Sequence, residues 1–178
     1  MKKIIISVFA FSILTSCVVS TAAKVVKTAG KVAIGTVKTT VKGIGWTVEK
    51  ANGKINENRL DGKWKVTGQY KGNFEEFAAQ SEPENYFTCD AGNEIYEFKM
   101  KKEKMFHYEC GSSNAQKYKI KYSFEKNSET KEHENIVTFG PSYFTIINVT
   151  GDKLALEGYF VGENGNKVKS ICLLEKTK

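Results

Sequence analysis

The sequence contains few of the residues that build catalytic or metal centres. Its only histidines, His107 and His133, fall in different predicted strands or turns, and neither has a second ligand at a metal-binding spacing. The sequence has no nucleophile elbow and no glycine loop of the phosphate-binding type. The carboxylates Glu129, Glu132 and Glu134 fall in one charged turn, where we expect water to solvate them. These absences predict a protein with no enzyme activity, no metal site and no cofactor.

The apolar run that follows the first lysines of the sequence is shorter than a transmembrane helix. The run from Ile4 to Leu14 has eleven residues, whereas a helix that spans a bilayer needs about 20. Lys2 and Lys3 precede this run, and a basic start followed by a short apolar run is typical of a secretory signal peptide.

The signal segment ends in Leu14-Thr15-Ser16-Cys17 rather than in the small residues of an ordinary cleavage site. This ending resembles the lipobox of bacterial lipoproteins. The resemblance implies that residues 1–16 are removed and that Cys17 carries a diacylglyceryl group, which anchors the chain to a membrane of the bacterial cell envelope. The residue after Cys17 is Val18 rather than Asp. By the same resemblance, this favours the outer membrane, facing the periplasm, over the inner membrane. An ordinary signal peptide with an unrelated cysteine is the alternative.

Residues 17–59 are predicted to be the lipidated cysteine and a basic linker, in which Val18 to Asn52 combine basic and apolar positions at helical spacing. At 100° per residue, one sector collects lysines and the opposite sector collects valine, alanine and isoleucine. Four glycines between Val18 and Asn52 make such a helix marginal in water. We predict an amphipathic helix that folds on the membrane, and the alternatives are a solvated spacer and a helix that pairs with another protein. The predicted membrane contacts are Lys24, Lys27, Lys31, Lys38, Lys42 and Trp46.

Formal charge divides unevenly between this linker and the rest of the chain. Residues 18–60 hold eight Lys or Arg and two Glu, a net charge of +6. Residues 61–178 hold seventeen Lys and eighteen Asp or Glu, a net charge of −1. Because the basic character belongs to the linker, we expect no nucleic-acid groove on the folded domain.

Between residues 60 and 178 the apolar period changes from 3.6 to 2. The segment around Trp64 and the segment from Tyr118 to Phe124 alternate apolar and polar residues, which is typical of half-buried strands. Turns that contain glycine, asparagine or proline separate about eight such segments. The pattern predicts a mainly β domain, a small eight-stranded antiparallel barrel without an exposed sheet edge. An open sandwich is the alternative.

The same alternation assigns aromatic side chains to the barrel interior. An eight-stranded barrel is only just wide enough for its own side chains or one small ligand, so we expect a packed core or a narrow pocket near one end. Asn73 is expected to cap a short helix, either as a lid over one end or as an ordinary connection. The assigned interior residues are Trp64, Tyr70, Tyr96, Phe98, Phe106, Tyr108, Tyr118, Tyr122 and Phe124.

Three cysteines remain if Cys17 is lipidated, and export implies an oxidising compartment. A hairpin that turns at residues 101–104 brings the stretches around Cys89 and Cys110 to the same end of the barrel. We therefore predict a Cys89–Cys110 disulfide that adds about 3 kcal/mol to stability. Cys172 is expected to be a small buried side chain on a strand.

Four short segments follow one another in the same region. They are Gly62-Lys63-Trp64, then Cys89-Asp90 before Ile95–Phe98, then Cys110-Gly111, then Tyr143–Ile147 before Thr150–Leu156. Together they resemble bacterial lipoproteins with a lipocalin-like domain. The resemblance implies a barrel in which Trp64 plugs one end and the interior holds a small apolar ligand.

The sequence thus leaves functions of different classes open. The favoured hypothesis is a membrane-anchored envelope lipoprotein whose barrel binds a small apolar or amphiphilic ligand. The segment Tyr86–Gly92 also resembles the opening motif of membrane-bound c-type lysozyme inhibitors, which implies a protein-binding periplasmic module. The later Ser-Gly-x-x-Tyr and Trp-x-x-Gly loops of those inhibitors are absent from the sequence. A structural envelope lipoprotein without a ligand is the third hypothesis.

Overall fold

The computed structural model describes residues 38–41 and 46–178 apart from 91, 129 and 162–164, and at 38–41 and 46 it describes the backbone alone. The predicted lipid attachment at Cys17 therefore lies outside the described residues. The same holds for the predicted membrane contacts of the side chains of Lys24, Lys27, Lys31, Lys38, Lys42 and Trp46.

Eight of the described strands form a closed antiparallel barrel, which confirms the predicted architecture. The strands in chain order are β1 Lys38–Val41, β2 Trp46–Glu49, β3 Gly62–Lys71, β4 Ile95–Lys99, β5 Lys104–Tyr108, β6 Ala115–Lys126, β7 His133–Phe139, β8 Ser142–Val149, β9 Lys153–Val161 and β10 Lys167–Lys176. The barrel order is β10-β3-β4-β5-β6-β7-β8-β9, and β10 pairs with both β3 and β9, so the sheet has no open edge.

Large apolar side chains fill most of the barrel interior. Trp64, Tyr96 and Phe98 belong to this buried cluster, and Tyr118 and Tyr122 pack against it while partly buried. Other members come from the facing strands β7 to β10, including Val137, Phe144, Ile146, Leu156, Phe160 and Leu174. Phe124 follows Tyr122 by two residues on β6 and therefore shares its inner face. It pairs with Asn135 near the end of that strand.

Phe106 and Tyr108 lie on the outer face of the barrel, so their assignment to the interior is wrong. In the β4–β5 hairpin Tyr96 pairs with His107, and Phe98 pairs with Met105. Directly paired residues of antiparallel strands point to the same face, so Met105 and His107 take the interior positions of β5. The Nζ atom of Lys99 lies 4.7 Å from the ring centroid of Phe106, and that of Lys63 lies 5.9 Å from the ring centroid of Tyr108.

Tyr70 also lies outside, because a β-bulge reverses the alternation of β3. Leu174 pairs with Val66, but Leu173 pairs with Gly68, so Thr67 is left without a partner in the ladder. An extra residue of this kind moves every later side chain to the opposite face. Gln69, and not Tyr70, therefore points into the barrel.

The outer wall formed by β3, β8, β9 and β10 is covered by the helix α1 (Phe74–Ala79). Asn73 caps this helix through a capping box with Glu76, with both hydrogen bonds at 2.9 Å. The helix packs against the wall and not over a barrel end, because its buried residues belong to a second apolar cluster. That cluster contains Val48, Tyr70, Phe74, Phe77, Ile147, Ala155, Ile171 and Leu173.

The predicted amphipathic helix is not supported at residues 38–41 and 46–49, where β1 and β2 pair as antiparallel strands. This stretch is rich in threonine and valine, whose branched Cβ atoms favour strands over helices. Val48 is fully buried, and the backbone N–H of Ala51 donates to the carbonyl of Ile147 at 2.7 Å. Lys50 forms an ion pair with Glu132 at 2.8 Å. The last part of the linker is thus attached to the barrel wall.

One end of the barrel, here named the closed end, is plugged. Trp64 is fully buried, and its indole N–H donates to the carbonyl of Leu60 at 2.7 Å. Leu60, in the 3-10 turn Glu57–Leu60, is fully buried as well. The Nζ atom of Lys176 lies 5.0 Å from the Trp64 ring centroid. Ile55 packs against the core, and its N–H donates to Oδ1 of Asn135 at 2.9 Å.

Candidate functional site

The opposite end, here named the open end, is shaped by the predicted Cys89–Cys110 disulfide, which is confirmed. The two Cα atoms are 5.6 Å apart. Cys89 precedes β4 and Cys110 follows β5, so the bond ties the segment before β4 to the end of β5. Cys172 is a free thiol, buried on β10 opposite Gln69.

A pocket of about 370 Å³ lies at the open end. It is bounded by the inner faces of β3 and β5, by the segment that Cys89 holds in place, and by the end of β9. A volume of this size is at the small end of the range of ligand sites in proteins. The lining residues that matter for its chemistry are Gln69, Tyr86, Phe87, Glu94, His107 and Glu109.

Glu94 is the centre of a polar group in this pocket. Its Oε1 atom lies 2.8 Å from Nε2 of His107 and accepts a hydrogen bond from the hydroxyl of Tyr96 at 3.2 Å. The rings of Tyr96 and His107 are stacked, with centroids 4.3 Å apart. The carboxylate is therefore held in one position by two aromatic neighbours.

Gln69, Tyr86 and Ser170 form a second polar group, which lies on the wall made by β3 and β10. The amide of Gln69 donates to the hydroxyl of Tyr86 at 2.8 Å and to the carbonyl of Val161 at 3.1 Å. The Tyr86 hydroxyl forms a short hydrogen bond with Ser170, which is fully buried. Because burying a hydroxyl or an amide is costly unless it is paired, these bonds fix the wall of the pocket.

Aromatic rings fill the barrel below the pocket, which makes the pocket shallow. Phe144 stacks on Phe160 with centroids 5.1 Å apart, and it contacts Tyr96 edge to face at 5.9 Å. Gly158 is paired with Phe144, and a Cβ atom at this position would lie 2.7 Å from the Phe144 ring. The missing side chain at residue 158 thus provides the space that the Phe144 ring occupies.

Burial raises the pKa of two acidic groups beneath the pocket. Burial and then the charge of Glu94 raise the pKa of the Tyr96 hydroxyl well above its ordinary value. The same two causes, in the same order, raise the pKa of the Cys172 thiol. On the outer wall, burial raises the pKa of Tyr70 to about 12. All three groups are therefore held in their neutral forms in the folded protein.

These shifts predict a loss of stability at alkaline pH. The folded pKa values lie above those of the unfolded chain, so the stabilisation is complete below the unfolded values and disappears as the pH rises through the folded ones. For Tyr70 the loss runs from pH 10.0 to about 12. Urea unfolding at about pH 9 and about pH 11 should show a smaller free energy of unfolding at the higher pH. Equal values at the two pH values would contradict this prediction.

The structure brings together only part of the site that the sequence predicts. Tyr96 lies directly beneath the pocket, whereas Trp64 and Phe98 lie deeper in the core. Gln69, Tyr86, Phe87, Glu94 and His107 were not assigned to a site. The position of the hairpin turn could have predicted that His107 points inward, because the turn places His107 opposite the inward Tyr96. The inward position of Gln69 depends on the bulge, for which the sequence offers no clear signal.

The described residues contain neither a candidate metal cluster nor a candidate membrane-spanning helix. Within them, no three His, Cys, Asp or Glu side chains are grouped so that they could hold a metal ion. His133 instead lies beside Phe124, with ring centroids 5.6 Å apart. Nor does this part of the chain contain a helix that is both long and apolar enough to cross a membrane.

The chain matches no protein-family model, and no curated protein matches it. Among solved structures it is similar to bovine odorant-binding protein in complex with a selenium-containing odorant. The TM-score is 0.36 and the identity 16%, over 72% of this chain and 77% of that chain. Structures of bovine odorant-binding protein with its natural ligand and with undecanal give a TM-score of 0.35 and 14% identity, over 72% and 78% of the chains. Such weak similarity supports no argument about family or ligand.

Proposed function

We propose that this chain is a lipid-anchored envelope protein without catalytic activity, and that its barrel binds a small amphiphilic molecule in the pocket at the open end. The observation that carries the proposal is the difference between the two ends of the barrel. Trp64, Leu60 and Ile55 fill the barrel at the closed end, whereas at the open end the inward side chains of Gln69 and His107 line a pocket of about 370 Å³. Attachment through Cys17 in the outer membrane is the part of the proposal that rests on the sequence.

The depth of the pocket limits the size of the ligand. The rings of Phe144, Phe160 and Tyr96 occupy the barrel below it, so an extended acyl chain would have to displace packed aromatic side chains. Such a displacement would cost about 1–3 kcal/mol, as overpacking of cores does. The ligand is therefore small, with an apolar part that lies against Phe87.

The charges of the lining side chains favour one kind of polar group on the ligand. Glu94 and Glu109 carry carboxylates, and no Lys or Arg is among the described residues that line this pocket. A carboxylate accepts hydrogen bonds and attracts cations. The proposed ligand therefore carries a hydrogen-bond donor or a positive charge, such as an amine, beside its apolar part.

Binding of 1-aminoanthracene, a fluorescent aromatic amine, tests this proposal. The full chain in detergent should bind it at one saturable site after the signal of protein-free micelles is subtracted. Phe87→Ala should weaken binding on the order of tenfold, because it removes an apolar wall of the pocket. Phe106→Ala, which removes the same side chain from the outer face, is the matched control and should change the Kd by less than about twofold. Absence of saturable binding, or equal effects of the two substitutions, would contradict the proposal.

A further inference from the structure

The outer face of β4 and β5, together with the adjoining halves of β3 and β6, is strongly basic. This surface is here named the basic face. Its lysines come from alternate positions on all four strands, and the register places them side by side. They are Lys63, Lys65, Lys99, Lys104, Lys117, Lys119 and Lys121.

The net charge of −1 for residues 61–178 conceals this surface. Among the described residues of the basic face, Glu97 is the only acidic one, and it pairs with Lys99 at 2.9 Å. The acidic first turn of α1, with Glu75 and Glu76, lies on the wall formed by β3 and β8 to β10, on the other side of the barrel.

Half-buried aromatic side chains lie among these lysines. Phe106 and Tyr108 are on the basic face beneath Lys99 and Lys63. A tyrosine or phenylalanine near long lysine side chains suits a boundary between apolar and aqueous phases, because the apolar stems and rings face one side while the charges reach the other. A face that served only solubility would not need these rings.

We propose that the basic face lies against anionic lipid headgroups of the membrane that holds the anchor at Cys17. The proposal rests on the anchor and is independent of the ligand pocket. A wall with seven lysines spread over four strands suits a surface of many equivalent phosphates better than a single shaped partner. The basic face is a side wall of the barrel, so contact through it leaves the open end unobstructed.

Acetylation of lysines in the full chain on vesicles tests this orientation. The vesicles are phosphatidylcholine alone or phosphatidylcholine with phosphatidylglycerol, and mass spectrometry measures the reaction at each lysine. Anionic vesicles should slow acetylation of Lys117, Lys119 and Lys121, and high salt should reverse this protection. The exposed lysines Lys126 and Lys167 should react equally on both kinds of vesicle.

A triple variant measures the strength of the contact. Each lysine near an anionic surface contributes about fivefold to binding. The variant that combines Lys117→Gln, Lys119→Gln and Lys121→Gln should therefore bind the anionic surface more weakly. The ratio of protected to unprotected Lys104 should fall on the order of 100-fold. The matched control carries Lys126→Gln, Lys167→Gln and Lys178→Gln, outside the basic face, and should retain the protection. Circular dichroism of both variants checks that the barrel is folded.

The possible failures are distinguishable. A chain that stays with the vesicles while its basic face reacts equally on both lipids would overturn the proposed orientation and leave the anchor intact. A chain that remains in solution and is unprotected would contradict both the orientation and the anchor. Protection that appears only when an acidic envelope protein is added would replace the lipid surface with a protein partner, and would likewise overturn the proposal.

Discussion

Replacing Trp64 with alanine should remove a large part of the stability of the barrel. Trp64 is fully buried at the closed end and donates its indole N–H to Leu60. Truncation of a buried tryptophan costs about 3–5 kcal/mol, which is a large share of the ~5–15 kcal/mol that stabilises a typical domain. The measurement is urea unfolding of the full chain, followed by circular dichroism, because this signal does not depend on the deleted ring.

The matched control is Tyr159→Ala. Tyr159 is a large aromatic residue on β9, but it is 56% exposed, so its truncation should change the free energy of unfolding by no more than about 0.5 kcal/mol. If Trp64→Ala proves as mild as Tyr159→Ala, the closed end does not depend on this plug.

Replacing Cys17 with serine should abolish attachment of lipid. A serine lacks the thiol that would form the thioether, and two or three acyl chains at ~0.8 kcal/mol per buried CH₂ are the proposed basis of membrane retention. Cells that express the wild-type chain in labelled palmitate should incorporate label into it, and the Cys17→Ser chain should incorporate none.

Cys172→Ala is the control for this experiment. It removes another cysteine, which is free and buried in the barrel, and the label on the chain should be unchanged. A wild-type chain without label would mean that the sequence around Cys17 is an ordinary signal segment, and the proposed anchor would be wrong.

The barrel could be predicted from sequence because each strand has to bury one face. Alternation in segments such as Tyr118–Phe124 marks the strands, and the glycine-rich turns mark their ends. The disulfide followed from the β4–β5 hairpin, which brings Cys89 and Cys110 to one end of the barrel. These features depend on local pattern and on the geometry of single connections.

Features that depend on pairing between strands could not be read from local pattern. Phe106 and Tyr108 are as apolar as interior residues, and only their register with β4 places them outside. Because Thr67 has no partner in the strand ladder, Gln69 and not Tyr70 lies on the inner face. The basic face also arises from register, because its lysines are far apart in sequence and become neighbours only in the closed sheet.

The linker shows how two periods can compete in one stretch. Valine at every eleventh position fits a helix, but the threonine and valine residues on either side of residues 42–45 have branched Cβ atoms, which favour a strand. Burial of Val48 against the barrel wall decides for the strand. Sequence alone could not reveal this contact, because the apolar partners Ile147 and Ile171 belong to distant strands.

The most direct test of the central claim is native mass spectrometry of the full chain purified from its own cells. The claim predicts one small molecule bound non-covalently to each chain, in addition to any covalent lipid, and its displacement by 1-aminoanthracene. A chain that carries no such molecule and fails to bind the probe would mean that the depression at the open end is not a binding site.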